Sequence, residues 1–136
     1  LGLSSERRLE TVQQGAAFYT LVRAAWPHED LPPIDNEKLP YPVAVGVAGR
    51  THGQPLLPLA TAYLQSFAAN LIAAGLRLAV IGQSAAQVRL AALMPVIRSV
   101  AAEAEGASLD DLGGMAFRSD LMSIRHETQV TRLFRS

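Results

Sequence analysis

The side chains that could do chemistry here are three histidines, a scatter of serines and carboxylates, and a group of arginines near the end of the chain. His126-Glu127 has the opening of an H-E-x-x-H zinc site, in which a second imidazole four residues on shares a helix face with the first. Position 130 is Val, so the spacing fails. His28 and His52 stand far from His126 in sequence, and no local spacing joins the three as metal ligands. Cys is absent, which removes disulfides and thiolate metal sites and suits a reducing compartment. No G-x-S-x-G supplies a nucleophile elbow, and no G-x-x-x-x-G-K-[ST] supplies a phosphate loop. Ser84, after Gly82-Gln83, reads as a helix cap. The carboxylates fall in polar connectors, where a solvated state is the default. The sequence thus offers no catalytic constellation and no metal or cofactor site.

The remaining chemistry is that of binding. Eleven of the twelve basic residues are Arg, and between Lys38 and Glu103 there is no acid at all. Nucleic acid would favour a dense basic stripe with Lys in it. Scattered Arg with little Lys suits protein contact surfaces. The densest such stretch is the last twelve residues, Arg125 to Ser136, where Leu133 and Phe134 lie between Arg132 and Arg135. Solvated tails are poor in aromatic and apolar residues. An apolar pair can fill a pocket while flanking guanidinium groups make forked contacts to carboxylates or backbone oxygens. The competing reading is a last helix packed on its own domain. An arginine finger offered in trans to a partner GTPase is a further role open to Arg125, Arg132 or Arg135; simple anchoring of the tail is preferred.

The elements that must carry this tail read as helices. Ser4 or Ser5 caps a first helix with Leu9, Val12, Ala16, Tyr19, Val22 and Trp26 at helical spacing, Trp26 serving as a core or inter-helix anchor. Pro27 ends it, and residues 27–40 form a Pro- and Asp-rich loop that holds His28. Pro42 suits the first turn of a second helix running to about His52. There Val43, Val45 and Val47 also alternate as a strand would, and Gly46, Gly49 and Gly53 permit close helix packing. A third helix spans about Pro55 to Leu78. No Asp, Glu, Lys or Arg interrupts the 26 positions between Arg50 and Arg77. That length could cross a bilayer. Gln65, Ser66 and Asn70, the high Ala content and the lack of an aromatic belt favour instead the central helix of a bundle, buried on every side. A fourth helix contains Pro95, with a kink expected near Ala91. Residues 103–117 form an acidic connector in which Ser108 and Asp111 have the form of a capping box. Ser119 caps a last helix whose apolar face is Leu121, Ile124, Thr128 and Val130. The sum is an all-α bundle of about five helices with a C-terminal docking helix or tail, in a single domain spanning residues 1–136.

The ending, Arg125-His126-Glu127-Thr128-Gln129-Val130-Thr131-Arg132-Leu133-Phe134-Arg135-Ser136, resembles that of the urease accessory protein F (UreF) family. Its members close on R-H-E-T-Q-x-x-R-L-F-R-S. The segment Gly82-Gln83-Ser84-Ala85-Ala86-Gln87 resembles the family's G-Q-x-x-x-Q. The resemblance runs from about Glu6 to Ser136. Family members begin with a further helical region that nothing here matches, and the chain does not start with Met, so a C-terminal portion of such a protein is expected. The resemblance implies a non-catalytic urease maturation factor and a homodimer. Its implied partners are the D/H accessory protein, the nickel-carrying accessory GTPase G and apo-urease. It places the D/H contact on Arg125, His126, Glu127, Arg132, Leu133, Phe134 and Arg135, and makes Gly82, Gln83 and Gln87 a structural motif. Nickel is then handled by the complex, with no direct binding, nucleic acid or membrane involved. No basic-then-apolar leader opens the chain, and a cytoplasmic setting is expected. An all-α membrane-associated or general protein-interaction domain is the alternative.

Overall fold

The computed structural model describes residues 4–35, 38–113 and 116–128. Among them every regular element is helical: α1 (Ser5–Ala25), α2 (Tyr41–Thr51), α3 (Leu56–Arg77), α4 (Gln83–Glu105), a 3-10 turn (Leu109–Asp111) and α5 (Phe117–Glu127). The all-α expectation of five helices therefore stands, and the alternation of Val43, Val45 and Val47 does not produce a strand. The chain divides into two compact units, one built on α1, α2 and α5 and the other, Gly53–Ser108, on α3 and α4.

In the first unit Ser4 caps α1, its Oγ accepting from the Arg7 amide at 3.3 Å. Gly15, Tyr19 and Val22 then fall on one buried stripe, the i, i+4, i+7 spacing of a helix face. The core centres on Tyr19, Leu39 and Ala44, with Phe18, Leu31, Ile34 and Val47 around them. The Pro-rich loop therefore does more than connect, because its apolar residues fold back over Tyr19. Gly15 makes the closest approach. A Cβ there would meet the Leu39 carbonyl oxygen and lie 2.8 Å from both Pro40 C and Tyr41 N. At Gly46, expected to mediate close packing, a Cβ would meet nothing within 4 Å, although Gly49 is buried as expected. Pro42 does sit in the first turn of α2, and Phe18 meets Tyr41 edge-on at 5.5 Å. Trp26 is not a core anchor: it ends α1 and is 60% exposed. The Tyr19 hydroxyl donates to the Pro32 carbonyl at 2.6 Å and ties loop to helix. Tyr19→Phe removes that donor and is expected to cost about 1 kcal/mol, read as a lower midpoint in urea.

In the second unit α3 and α4 form a helical hairpin. α4 buries Ala86, Ile97 and Ala101, while α3 buries no residue fully. This corrects the expectation of a helix surrounded on every side. Within its unit α3 has one helical neighbour, and a pair of helices can cover only one stripe of each. Phe67 and Leu71 are more than half exposed. By length and composition alone, both helices could cross a membrane. α4 runs unbroken through Pro95. Its N-cap is Gly82, without a side-chain cap, so Ser84 lies inside the helix rather than capping it.

The hairpin turn follows from backbone hydrogen bonding. Val80 N–H reaches the Gly75 carbonyl and Ala79 N–H the Leu76 carbonyl, both at 3.0 Å, the pairing of a Schellman motif. Ala79 takes the left-handed position with φ 55°, where a Cβ is unfavourable. Ala79→Gly is expected to stabilise the hairpin by about 1 kcal/mol, read as a raised thermal midpoint.

Candidate functional site: the contact between α1 and α5

α5 begins after Ala116, which offers no side-chain cap, so the expected capping role of Ser119 is not found. Ser119 instead lies in the first turn and faces α1, where its Oγ and its carbonyl, the latter at 3.4 Å, accept from Arg7 Nη2. Arg7 Nη1 donates to Asp120 Oδ1 at 2.7 Å. One helical turn on, the Ser4 and Ser123 hydroxyls are 2.6 Å apart. A turn further, Glu127 Oε1 accepts from Ser5 Oγ at 2.8 Å and from the Glu6 amide at 3.3 Å. His126 Nδ1 lies 2.8 Å from Glu6 Oε2. A carboxylate can only accept, so Nδ1 is the donor.

Helix geometry accounts for this alignment. Ser119, Asp120, Ser123, His126 and Glu127 fall within about 120° of one another around a helix of 3.6 residues per turn. They meet the first turn of α1, whose unpaired amides and dipole favour a carboxylate. Glu127 supplies one, and His126 lies near the C-terminus of α5, the end of a helix that favours a cation. Phe117, Arg118, Leu121, Met122, Ile124 and Arg125 occupy the other side. Phe117 is 69% exposed and Met122 55%, and Arg118 and Arg125 are exposed. α5 thus turns its polar side toward α1. Of the expected apolar face, Ile124 and Thr128 are exposed and Leu121 is half-buried.

Of the residues that the resemblance assigns to partner contact, His126 and Glu127 are engaged with α1 and Arg125 is exposed. Arg132, Leu133, Phe134 and Arg135 lie outside the described residues, as does Val130. Gly82, Gln83 and Gln87 are all exposed at the start of α4. Arg7, Asp120 and Ser123 were not singled out by sequence, and Ser4, Ser5 and Ser119 only as helix caps. The 119/120, 123, 126/127 spacing was the available signal, but nothing in it names α1 as the facing element.

The histidines do not converge. His28 and His52 meet ring to ring at 5.4 Å, edge to face, and His126 is held by Glu6. Among the described residues no three His, Asp or Glu side chains are grouped to hold a metal ion. An open groove of about 520 Å³ in the second unit is lined by Leu57, Pro58, Thr61, Ala62, Gln65, Arg98 and Ala102. Arg98 is its charged group, and the Thr61 hydroxyl donates to the Leu57 carbonyl at 2.8 Å.

An all-helical chain whose chemistry-bearing side chains serve helix contacts has the makings of an interaction protein. The UreF family model matches residues 1–94, and the chain belongs to the UreF family. It is 50% identical over 136 residues to the urease accessory protein UreF of Rhodopseudomonas palustris (strain BisB5), covering 98% of this chain and 56% of that protein. It is also 50% identical to the UreF of Xanthobacter autotrophicus, covering 100% of this chain and 57% of that protein. The chain thus spans little more than half the length of these relatives. No solved structure matches it.

Proposed function

We propose that the chain serves urease maturation as a non-catalytic scaffold. In this reading α5 and the tail that follows it bind the D/H accessory protein. The resulting complex recruits the nickel-carrying GTPase, which delivers the metal to apo-urease. Arg125, Arg132, Leu133, Phe134 and Arg135 make the contact. His126 and Glu127 support it from the α1 side. The protein acts in the cytoplasm as a homodimer and takes no metal itself.

The observation that carries this reading is the outward face of α5. A helix that turns Phe117 and Met122 to solvent beside Arg118 and Arg125 presents the residue types enriched at protein interfaces. The names of the relatives, urease accessory proteins, supply the pathway. The test is co-purification of the chain with the D/H accessory protein, with and without residues 125–136. Tail-dependent capture is expected. Equal capture of both forms would remove the tail from the interface.

A further inference from the structure

We propose that Arg7 is a positioning residue: through Asp120 it locks α5 onto the first turn of α1 with the apolar and arginine-bearing face outward, before any partner arrives. Three observations carry this. First, the contact joins groups more than a hundred residues apart in sequence, the Arg7–Asp120 pair being separated by 113 positions. It is tertiary structure rather than a local helix pairing. Second, it is two-ended. Arg7 holds the first turn of α5 through Asp120, and Glu127 holds its last turn through Ser5 and the Glu6 amide. A helix fixed at both ends cannot roll, so the face it shows is determined. Third, the contact is polar, whereas burial of Phe117 and Met122 would favour the opposite face. Without the lock, the apolar side has reason to turn inward, and the directed hydrogen bonds hold it out.

The lock lowers the ordering cost that a partner would otherwise meet on binding. Its relevance to docking rests on the function proposed above, but its existence does not. The partner surface it suits is an apolar pocket with carboxylates at its rim, matched to Phe117 and Met122 with Arg118 and Arg125 beside them.

The test measures amide hydrogen exchange across α5 in the 136-residue chain, then binding to the D/H accessory protein. The variants are Arg7→Ala, Asp120→Asn and the swapped pair Arg7→Asp with Asp120→Arg. Arg7→Ala is expected to speed exchange over residues 117–127 by about tenfold, as local opening becomes easier, with α2 amides unchanged. The swapped pair restores protection, which a merely structural loss of packing would not permit. Binding is expected to weaken about tenfold in the single variants and to recover in the swap. Unchanged α5 exchange in both single variants would overturn the lock. Faster exchange with equal or tighter binding would overturn its positioning role. Should Arg7→Ala fail to fold, the milder Asp120→Asn decides the exchange arm. If even the unmodified chain captures no D/H protein, the docking reading fails, and exchange alone decides whether Arg7 sets the pose of α5.

Discussion

Gly15→Ala is expected to destabilise the α1–α2 unit by about 3 kcal/mol. A Cβ at this position points into main chain rather than into a mobile side chain, with the Leu39 carbonyl, Pro40 and Tyr41 in its path. Backbone cannot step aside without moving the start of α2, and that start is tied down. The Tyr41 amide donates to Thr11 Oγ1 at 3.3 Å, and Leu39 belongs to the core with Tyr19. Relief therefore means separating α1 from α2 and opening that core. Gly46→Ala is the matched control. It too lies inside a helix, but space is open around it, so helix propensity alone acts and stabilises by about 1 kcal/mol. Thermal melts followed by circular dichroism should move in opposite directions for the two variants. Equal shifts would mean that the close approach at Gly15 is not what holds the helices together.

Phe134→Ala is expected to weaken capture of the D/H accessory protein by about 3 kcal/mol, roughly a hundredfold in Kd, while the helical signal is unchanged. An aromatic anchor seated in a pocket carries the part of interface energy that flanking polar contacts do not replace. Removing residues 125–136 should abolish capture. That deletion also removes His126 and Glu127, and with them part of the hold on α1. Removing only 129–136 leaves those contacts in place and isolates the anchor. Loss of capture with the shorter deletion, measured by titration calorimetry, would assign the energy to the tail. Full capture would move it to the outward face of α5.

Local rules explain which parts of this fold were legible in the sequence. Ser4 caps α1 because a serine just before a helix can do so from its own side chain, and Pro55 together with the end of the charge-free interval at Arg77 delimits α3 to within a residue or so. The UreF resemblance was carried by the ending and by the Gly82-Gln83 segment, and family membership follows. The misreadings share one cause. Trp26 and α3 were read as buried because apolar residues usually go inside, but burial depends on how many neighbours a helix has. Gly15 gives no local signal because its significance lies in Leu39 and Tyr41, more than twenty residues away. Arg7 gives none because its partner lies 113 positions on. Ser84 and Ser119 have cap chemistry, but their helices start earlier, at Gln83 and Phe117.

The exposure of Trp26 has a spectroscopic consequence. It is the chain's single tryptophan, and its indole already meets water in the folded state. Emission from it should therefore be red-shifted and should scarcely move during denaturation, so a melt followed by fluorescence would look flat while circular dichroism falls. The same property makes it a sensitive reporter of association. Any protein that covers the C-terminal end of α1 will shift its emission to the blue. One that touches only α5, near the other end of α1 and roughly 30 Å away at 1.5 Å per residue, will leave it unchanged. The natural chain thus distinguishes two docking surfaces by colour, with no label added.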